Sequence, residues 1–468
     1  MPAGNASTSG KVMPPRKKIL LNAFSMNCVG HINHGLWTHP RDRSHEYKRL
    51  SYWTDLAKTL ERGLFDGLFL ADIVGVYDIY QSSVDLTLKE SVQLPVNDPT
   101  LLVSAMAAAT QHLGFGITVN TSVEAPYTFA RRISTLDHLT EGRVGWNIVT
   151  GYLDSAARAL GQTGMSEHDN RYDRADDYLD VLYKLWEGSW SDDAVVVDKA
   201  RRVFTEPGRV RKIHHQGPYY QSEGYHLSEP SAQRTPVLYQ AGTSGRGRQF
   251  AGRHAECIFI NATDKAAAAK TSRTLRAEAV AAGRRPEDVK IFVGITVVPG
   301  RTISEAKAKL EDYLDHANPE AGLAHFSAGS GIDFSRYQLD ETIEYAAGNA
   351  IQSVTKLAQQ RGWTKRQLLQ ELAIGGRYPV IVGDGAHVAE ELISWLDDGE
   401  IDGFNLTRTV VPESYVDFID IVVPELQERG AYKTAYSDGT LRSRLFDAGN
   451  RLPDNHYGSR FRWTAREQ

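Results

Sequence analysis

Thr235 to Ala251 reads TPVLYQAGTSGRGRQFA. An apolar run (Pro236, Val237, Leu238, Tyr239) breaks into Gly242, Thr243, Ser244, Gly245, Arg246 and Gly247, then resumes as a helix-like segment ending in Ala251. A short apolar run suits a buried strand, and the small, donor-rich residues after it suit a helix start. Such a loop presents free backbone N–H groups and the positive end of a helix dipole. With hydroxyls and Arg246 or Arg248 beside it, it could cradle a phosphate. A plain strand-to-helix turn that uses glycine for positive φ accounts for the same letters equally well. The stretch alone does not separate the two.

Outward from this stretch the same strand, loop and helix unit recurs. Strand candidates are ILLNAF (19–24), LFDGLFLAD (64–72), LGFGITVN (113–120), VGWNIVT (144–150), PVLYQA (236–241), ECIFIN (256–261), VKIFVGITVV (289–298) and IDGFNLTR (401–408). Helical patterns such as SYWTDLAKTLERG, FARRISTLDHLTEG and YVDFIDIVVPELQERG lie between them, closed by Gly63, Gly142 and Gly430. About eight strands alternating with helices is the number that closes an α/β TIM (β/α)8 barrel. Residues 1–17 read as a disordered N-terminal tail, with initiation at Met1 or Met13 left open. Residues 18–446 read as the barrel, and 447–468 as a C-terminal extension. Two spacings, near 189–234 and 300–380, exceed an ordinary βα unit. They are expected as long insertions at the catalytic face, roofing the site.

Composition narrows the function classes. With 468 residues, 41% hydrophobic, 24% charged and a formal net charge of -5, the chain suits a globular protein that binds no nucleic acid. Its basic run RRVFTEPGRVRK is interrupted by Glu206 and Pro207. Cys28 and Cys257 are too few for a disulfide framework, so a reducing cytoplasm is expected. The first residues lack a signal-peptide core, and no window approaches the ~20 apolar residues of a membrane span.

In a barrel, chemistry sits at the C-terminal ends of the strands. Those ends supply Asn22, Asp72, Thr118 to Ser122, Thr150 with Gly151, the opening loop, and Asn405 to Arg408. The segment SMNCVGHINHGLWTHP after the first strand adds Cys28 and histidines 31, 34 and 39. Their spacing matches no zinc pattern, so no metal is expected. Cys28 and His31 either line a mostly apolar substrate cavity or belong to a packed core loop. His168 and Tyr172, four apart in EHDNRY, share a helix face. The glycines at 242, 245 and 247 fall as G-x-x-G-x-G, not the dinucleotide order, and neither a P-loop nor a G-x-S-x-G elbow is present.

Taken together, LNAFSMNCVGHINHGLWTHP, FLADIVGVYDIY, PVNDP, STLDHLTEGRVGWNIVT, EHDNRYDRADDYLDVLYKLWEGSW, QRTPVLYQAGTSGRG and IDGFNL…VVPELQERG resemble one family. It is that of the bacterial-luciferase-like, FMN-dependent two-component monooxygenases, in the branch of nitrilotriacetate, dibenzothiophene sulfone, dimethyl sulfide and long-chain alkane monooxygenases. The resemblance runs from about Ile19 to Phe446.

It implies a barrel that binds reduced FMN non-covalently, supplied by a separate NAD(P)H:flavin reductase, and uses O2 through a C4a-hydroperoxyflavin. A homodimer or homotetramer is expected. By the resemblance, Asp72, Thr118, Gly151, His168 and Tyr172 contact the flavin, and Ala241, Gly242, Thr243 and Ser244 hold its phosphate. The alkane branch further implies Cys28, His31, Tyr77, Gln93 and His325 around the substrate. His31 or His325 would manage the peroxide proton, having side chains that titrate nearest working pH. The chain departs from the alkane pattern at Gly151-Tyr152, which puts Tyr152 at the substrate, and in a longer segment near Ile343 to Leu372. A small apolar, organosulfur or xenobiotic substrate is therefore expected. The rival readings are a deazaflavin-dependent oxidoreductase on the same fold and a non-catalytic flavin-binding relative.

Overall fold

The computed structural model describes residues 16–343 and 362–464. All eight strand candidates become strands: β1 Leu20–Met26, β2 Gly67–Ala71, β3 Gly114–Asn120, β4 Val144–Val149, β5 Val237–Gln240, β6 Cys257–Ile260, β7 Lys290–Gly300 and β8 Gly403–Thr407. Each pairs in parallel with its neighbours in chain order, and β1 closes the ring against β8, with Leu20 opposite Gly403. Alternation along each strand sorts the side chains. Leu21, Ala23, Leu68, Leu70, Ile117 and Trp146 face the helices, whereas Leu20, Phe24, Phe69, Tyr239, Phe259 and Phe292 fill the barrel. Both faces are buried, which is why the strands read as nearly continuous apolar runs.

The N-terminal end of the barrel is plugged. Helix Leu441–Phe446 sends Leu441 and Leu445 into the lumen cluster. Between them the buried Arg442 donates to both oxygens of Glu256 (2.7 and 2.8 Å) and to the carbonyls of Thr235 and Pro236 (2.9 Å each). The described part of the 447–468 segment continues into a short helix, Tyr457–Phe461, whose Phe461 stacks on Tyr183. Of the 1–17 segment only Arg16 and Lys17 are described, and both reach acidic groups, Asp397 and Asp402.

The two insertions take different places. Residues 300–380 leave the C-terminal end of β7 as helices Ile303–His316 and Pro319–Ser330, and return through Lys365–Ala373 to a ninth strand, Val380–Asp384, paired with the upper half of β7. This segment lies on the mouth: Asn318 N–H donates to the His34 carbonyl (2.9 Å). Most of the longer stretch expected between Ile343 and Leu372 lies outside the described residues. The other insertion, 189–234, was expected to help roof the site and instead clads the barrel wall. It enters where helix His168–Tyr183 ends, on the side from which β5 begins. Its hairpin Ile213–Gln216/Gln221–Gly224 then lies along that helix, where Asp177 accepts from the amides of Tyr219 (2.8 Å) and Tyr220 (2.7 Å). Roofing therefore falls to the second insertion and the loop after β1. Among the described residues, no helix is long and apolar enough to cross a membrane.

Candidate active site

At one side of the mouth the loop after β5 meets helix His168–Tyr183. Ser244 is the N-cap of helix Gly245–His254, its hydroxyl accepting from the Gly247 amide (3.1 Å). Tyr172 is buried against this junction, and its hydroxyl accepts from Gln240 Nε2 (3.4 Å). A Cβ at Gly242 would collide with both the Tyr172 hydroxyl and the Gln240 amide, so any larger residue would have to push both side chains aside for the loop to close as it does here. The ring of His168, one turn earlier, lies 5.2 Å from that of Tyr172, and its Nδ1 pairs with Asp169 (2.7 Å). The donors gathered are backbone N–H groups, hydroxyls and one guanidinium. Arg246 is drawn away by Asp173 (2.9 Å) and Asp176, whereas Arg248 stays on the loop, donating to the Thr243 carbonyl (2.9 Å) with its Nε buried and unpartnered among the described residues.

The strand ends between carry the middle of the site. Asn147 Nδ2 donates to Thr118 Oγ1 (2.9 Å), while Asn147 Oδ1 and Gln240 Oε1 are buried without a partner among the described residues. Gly151 sits at φ +78°, and a Cβ there would lie 2.7 Å from Asn120 Nδ2. Asp72 follows β2, and burial together with the nearby charge of Asp98 pushes its carboxyl up to about 7.

The opposite side is built from the loop after β1, the segment 77–93 and the roof helix Pro319–Ser330. Tyr77 donates to Gln93 Oε1 (2.7 Å) and meets the Tyr152 hydroxyl (3.1 Å). Its one proton being spent on Gln93, Tyr77 accepts from Tyr152. The His325 ring stacks on Tyr77 with centroids 5.0 Å apart, and its Nδ1 meets His34 Nε2 at 3.2 Å. His31 stands edge-on to Phe24 at 4.6 Å. Behind them Arg408, buried at the end of β8, donates to the carbonyls of Cys28 (3.0 Å) and Val29 (2.6 Å) and so ties the first loop to the barrel. Two residues of this wall, Ile32 (φ +64°) and Gln93 (φ +54°), hold left-handed backbone that side chains of their kind rarely adopt.

The electrostatics of this wall differ from the sequence expectation. Burial, with the charges of Arg408 and the neighbouring imidazoles, holds His31 and His34 well below the ordinary histidine range. Burial and Arg377 hold His325 down to about 4. These rings do not titrate near working pH. They are neutral there, because an apolar surround with cations close by disfavours imidazolium. Burial likewise pushes the Cys28 thiol up to about 12, so it acts as a neutral group, its Sγ donating to the Gly30 carbonyl (3.1 Å).

The remaining first-loop histidine goes elsewhere. His39 gathers with Asp312 and His316, the one such cluster with metal-ligand spacing among the described residues. There the Arg41 amide donates to His39 Nδ1 (3.2 Å), which leaves the proton on Nε2 to bond Asp312 (3.0 Å), and the Arg41 guanidinium shares the same carboxylate (3.1 Å). That bonding pattern makes a hydrogen-bonded ion pair, not a set of free ligands.

The barrel thus carries a Gly/Ser loop closing on Tyr172 at one side of its mouth and a neutral, hydroxyl-bearing wall at the other. The chain belongs to the luciferase-like monooxygenase family, whose model matches residues 32–399. A long-chain alkane monooxygenase of Geobacillus thermodenitrificans is 48% identical over 448 residues, covering 95% of this chain and 98% of that protein. The dimethyl-sulfide monooxygenase of Hyphomicrobium sulfonivorans is 47% identical over 452 residues, covering 96% and 94%. A crystal structure of a riboflavin lyase with modified FMN and riboflavin superposes with a TM-score of 0.91 at 37% identity, covering 96% of this chain and 100% of that one. The protein is a flavin-dependent monooxygenase of the luciferase-like type.

Of the residues singled out in the sequence, the structure brings Tyr77, Gln93 and Tyr152 into one hydrogen-bonded group on which His325 stacks, with Cys28 and His31 in the adjoining loop. It brings His168, Tyr172 and the 241–244 loop into a second. His34 entered the sequence reading only as a metal ligand, and its spacing to His31 gave no hint of a partner 291 residues away.

Proposed function

We propose that this mouth binds reduced FMN non-covalently and uses it with O2 to oxygenate a small, uncharged organic substrate such as an alkane, sulfide or sulfone. The observation that carries this reading is the pairing just described. The Ser244 loop closes on Tyr172 with backbone amides, hydroxyls and the Arg248 guanidinium gathered at it, and the facing wall is held neutral by burial. The residues suit the cofactor. Glycine at 242 leaves room where a Cβ would intrude, and the orphaned oxygens of Asn147 and Gln240 are buried acceptors in want of N–H donors such as a flavin ring offers.

In this reading the backbone amides at 243–245 and the Ser244 and Tyr172 hydroxyls hold the phosphate. Asp72, Thr118 and Gly151 border the ring system. Reduced FMN, when bound, supplies the oxygen-activating chemistry, one oxygen atom entering the substrate and the other leaving as water. The chain's part is to orient and to exclude water: the described part of the 300–380 insertion covers the mouth, and Tyr77, Gln93 and Tyr152 offer a directed row of hydroxyl and amide groups to the substrate. Cys28 shapes the pocket as a neutral thiol. His31 and His325 serve as neutral hydrogen-bonding groups.

The reading includes a separate NAD(P)H:flavin reductase, a cytoplasmic setting in keeping with two free buried cysteines, and assembly as a homodimer or homotetramer. The test is a screen of alkanes, sulfides, sulfones and chlorinated aromatics with protein, FMN, O2 and NAD(P)H, run with and without an unrelated flavin reductase and read by product mass. Product is expected only with the reductase. Efficient turnover without it would overturn the two-component reading, and a deazaflavin spectrum on the purified protein would overturn the choice of cofactor.

A further inference from the structure

His34 and His325 meet nitrogen to nitrogen, Nε2 to Nδ1, at 3.2 Å. Two neutral imidazoles in such a contact share one proton, and the direction of that bond fixes the tautomer of both rings. His325 could donate from Nδ1. His34 would then carry its own proton on Nδ1, an atom that is fully buried and has no partner among the described residues. In the opposite direction His34 donates from Nε2, and its Nδ1 is a bare lone pair in the same dry place. Both arrangements leave one nitrogen unsatisfied, but an orphaned buried N–H is the rarer and costlier defect. Double protonation of His34 is disfavoured by burial and by the Arg408 charge.

We infer that His34 is a positioning residue that donates to His325 Nδ1 and thereby holds His325 as its Nε2–H tautomer, presenting a neutral N–H donor to the mouth. The His325 ring is already fixed in plane by its stack on Tyr77, 5.0 Å away with planes 15° apart. It is only partly buried, and its Nε2 makes no hydrogen bond among the described residues, so the donor is free for a guest. His34 is in turn held by the roof, since its carbonyl accepts from the Asn318 amide (2.9 Å) at the start of the helix that carries His325. Among the bonds that join the first loop to the roof, this one thus has a polarity that determines what the mouth offers. The inference deepens the proposed function and rests on it for its catalytic meaning, but the ring's protonation state can be read without any cofactor.

The test uses the ligand-free full chain labelled with 15N-histidine. Long-range 1H–15N correlation at neutral pH is recorded, with the His325 signals identified by their loss in His325→Gln. The expected result is a bare-nitrogen signal for Nδ1 and an N–H signal for Nε2. A proton on Nδ1 overturns the inference whatever the variants do. In His34→Phe, which keeps a flat ring and removes the donor, the two His325 tautomers should mix and kcat should fall roughly tenfold, the upper side of what one neutral hydrogen bond contributes. The KM for reduced FMN should not change. His34→Gln restores an N–H and should return the single tautomer and most of kcat. An unchanged tautomer and kcat in a folded His34→Phe protein would also overturn the inference. If the expected tautomer is found but no substrate is oxygenated, the proposed function fails and the His34 assignment stands.

Discussion

Replacing Ser244 by aspartate separates folding from cofactor binding. Ser244 caps helix Gly245–His254 by accepting from the Gly247 amide. Aspartate is as good an N-cap as serine, and its charge suits the positive helix end, so the ligand-free protein should melt within a degree or two of the parent. The same carboxylate would face a flavin phosphate. Two like charges about 4 Å apart repel by roughly 4 kcal/mol at an effective dielectric of about 20, close to a thousandfold in affinity. Arg246 cannot relieve the repulsion, because Asp173 and Asp176 already hold it. Ser244→Ala should behave the other way round. It gives up about 1 kcal/mol of capping and one charge-assisted hydrogen bond to the phosphate, so it melts lower and binds roughly ten- to a hundredfold more weakly, still tighter than the aspartate protein. Anaerobic titration of each protein with reduced FMN, beside a thermal melt without it, reads both effects. Unchanged affinity in a folded Ser244→Asp protein would refute the placement of the phosphate.

Three other perturbations follow from particular contacts. Asp72 has its folded pKa raised to about 7, so above the unfolded value of ~3.9 the unfolded chain loses a proton that the folded chain keeps. Asp72→Asn should therefore gain stability over the parent as pH rises from about 4 to 7, with the difference level above that; melts across this range showing a constant difference would contradict it. Tyr152→Phe removes the donor to Tyr77 but leaves the Tyr77 to Gln93 bond, so turnover or hydrogen peroxide leakage should change more than FMN affinity. Equal turnover and leakage would take Tyr152 out of the site. Arg442→Met strands the buried Glu256 carboxylate and should cost about 3–5 kcal/mol in urea unfolding; a loss under about 1 kcal/mol would show that Arg442 does not hold the barrel floor.

Barrel strands buried on both faces announce themselves as apolar runs, and all eight of them were readable in the chain. The ninth strand, Val380–Asp384, was not, because it pairs only with the upper half of β7 and Val380 is exposed. Residue types at the strand ends were readable too, since a barrel puts them on one rim. What could not be read depends on distant chain. Arg246 looked like a phosphate donor until Asp173 and Asp176, some 70 residues earlier, were placed beside it. The imidazoles looked titratable until burial and Arg408 were placed around them. The 189–234 insertion was long enough to roof the site, but only its point of entry, after a helix and not after a strand, decided which surface it covers. The left-handed backbone at Ile32 and Gln93 leaves no mark in residue type.

The pairing of β1 with β8 sets the timing of this protein's birth. Asn22 and Asn405, bonded side by side in the finished barrel, are 383 residues apart. At a synthesis rate of ~5–20 residues per second, β1 waits roughly 20–75 s for its second neighbour. Throughout that interval LLNAFSM is an apolar edge strand with one row of unpaired backbone groups, the kind of template that recruits other nascent chains. The lumen stays open at its floor longer still, until Leu441 to Phe446 has left the ribosome and Arg442 can reach Glu256. Yield in a heterologous host should thus depend on what shields the first strand while the last one is being made.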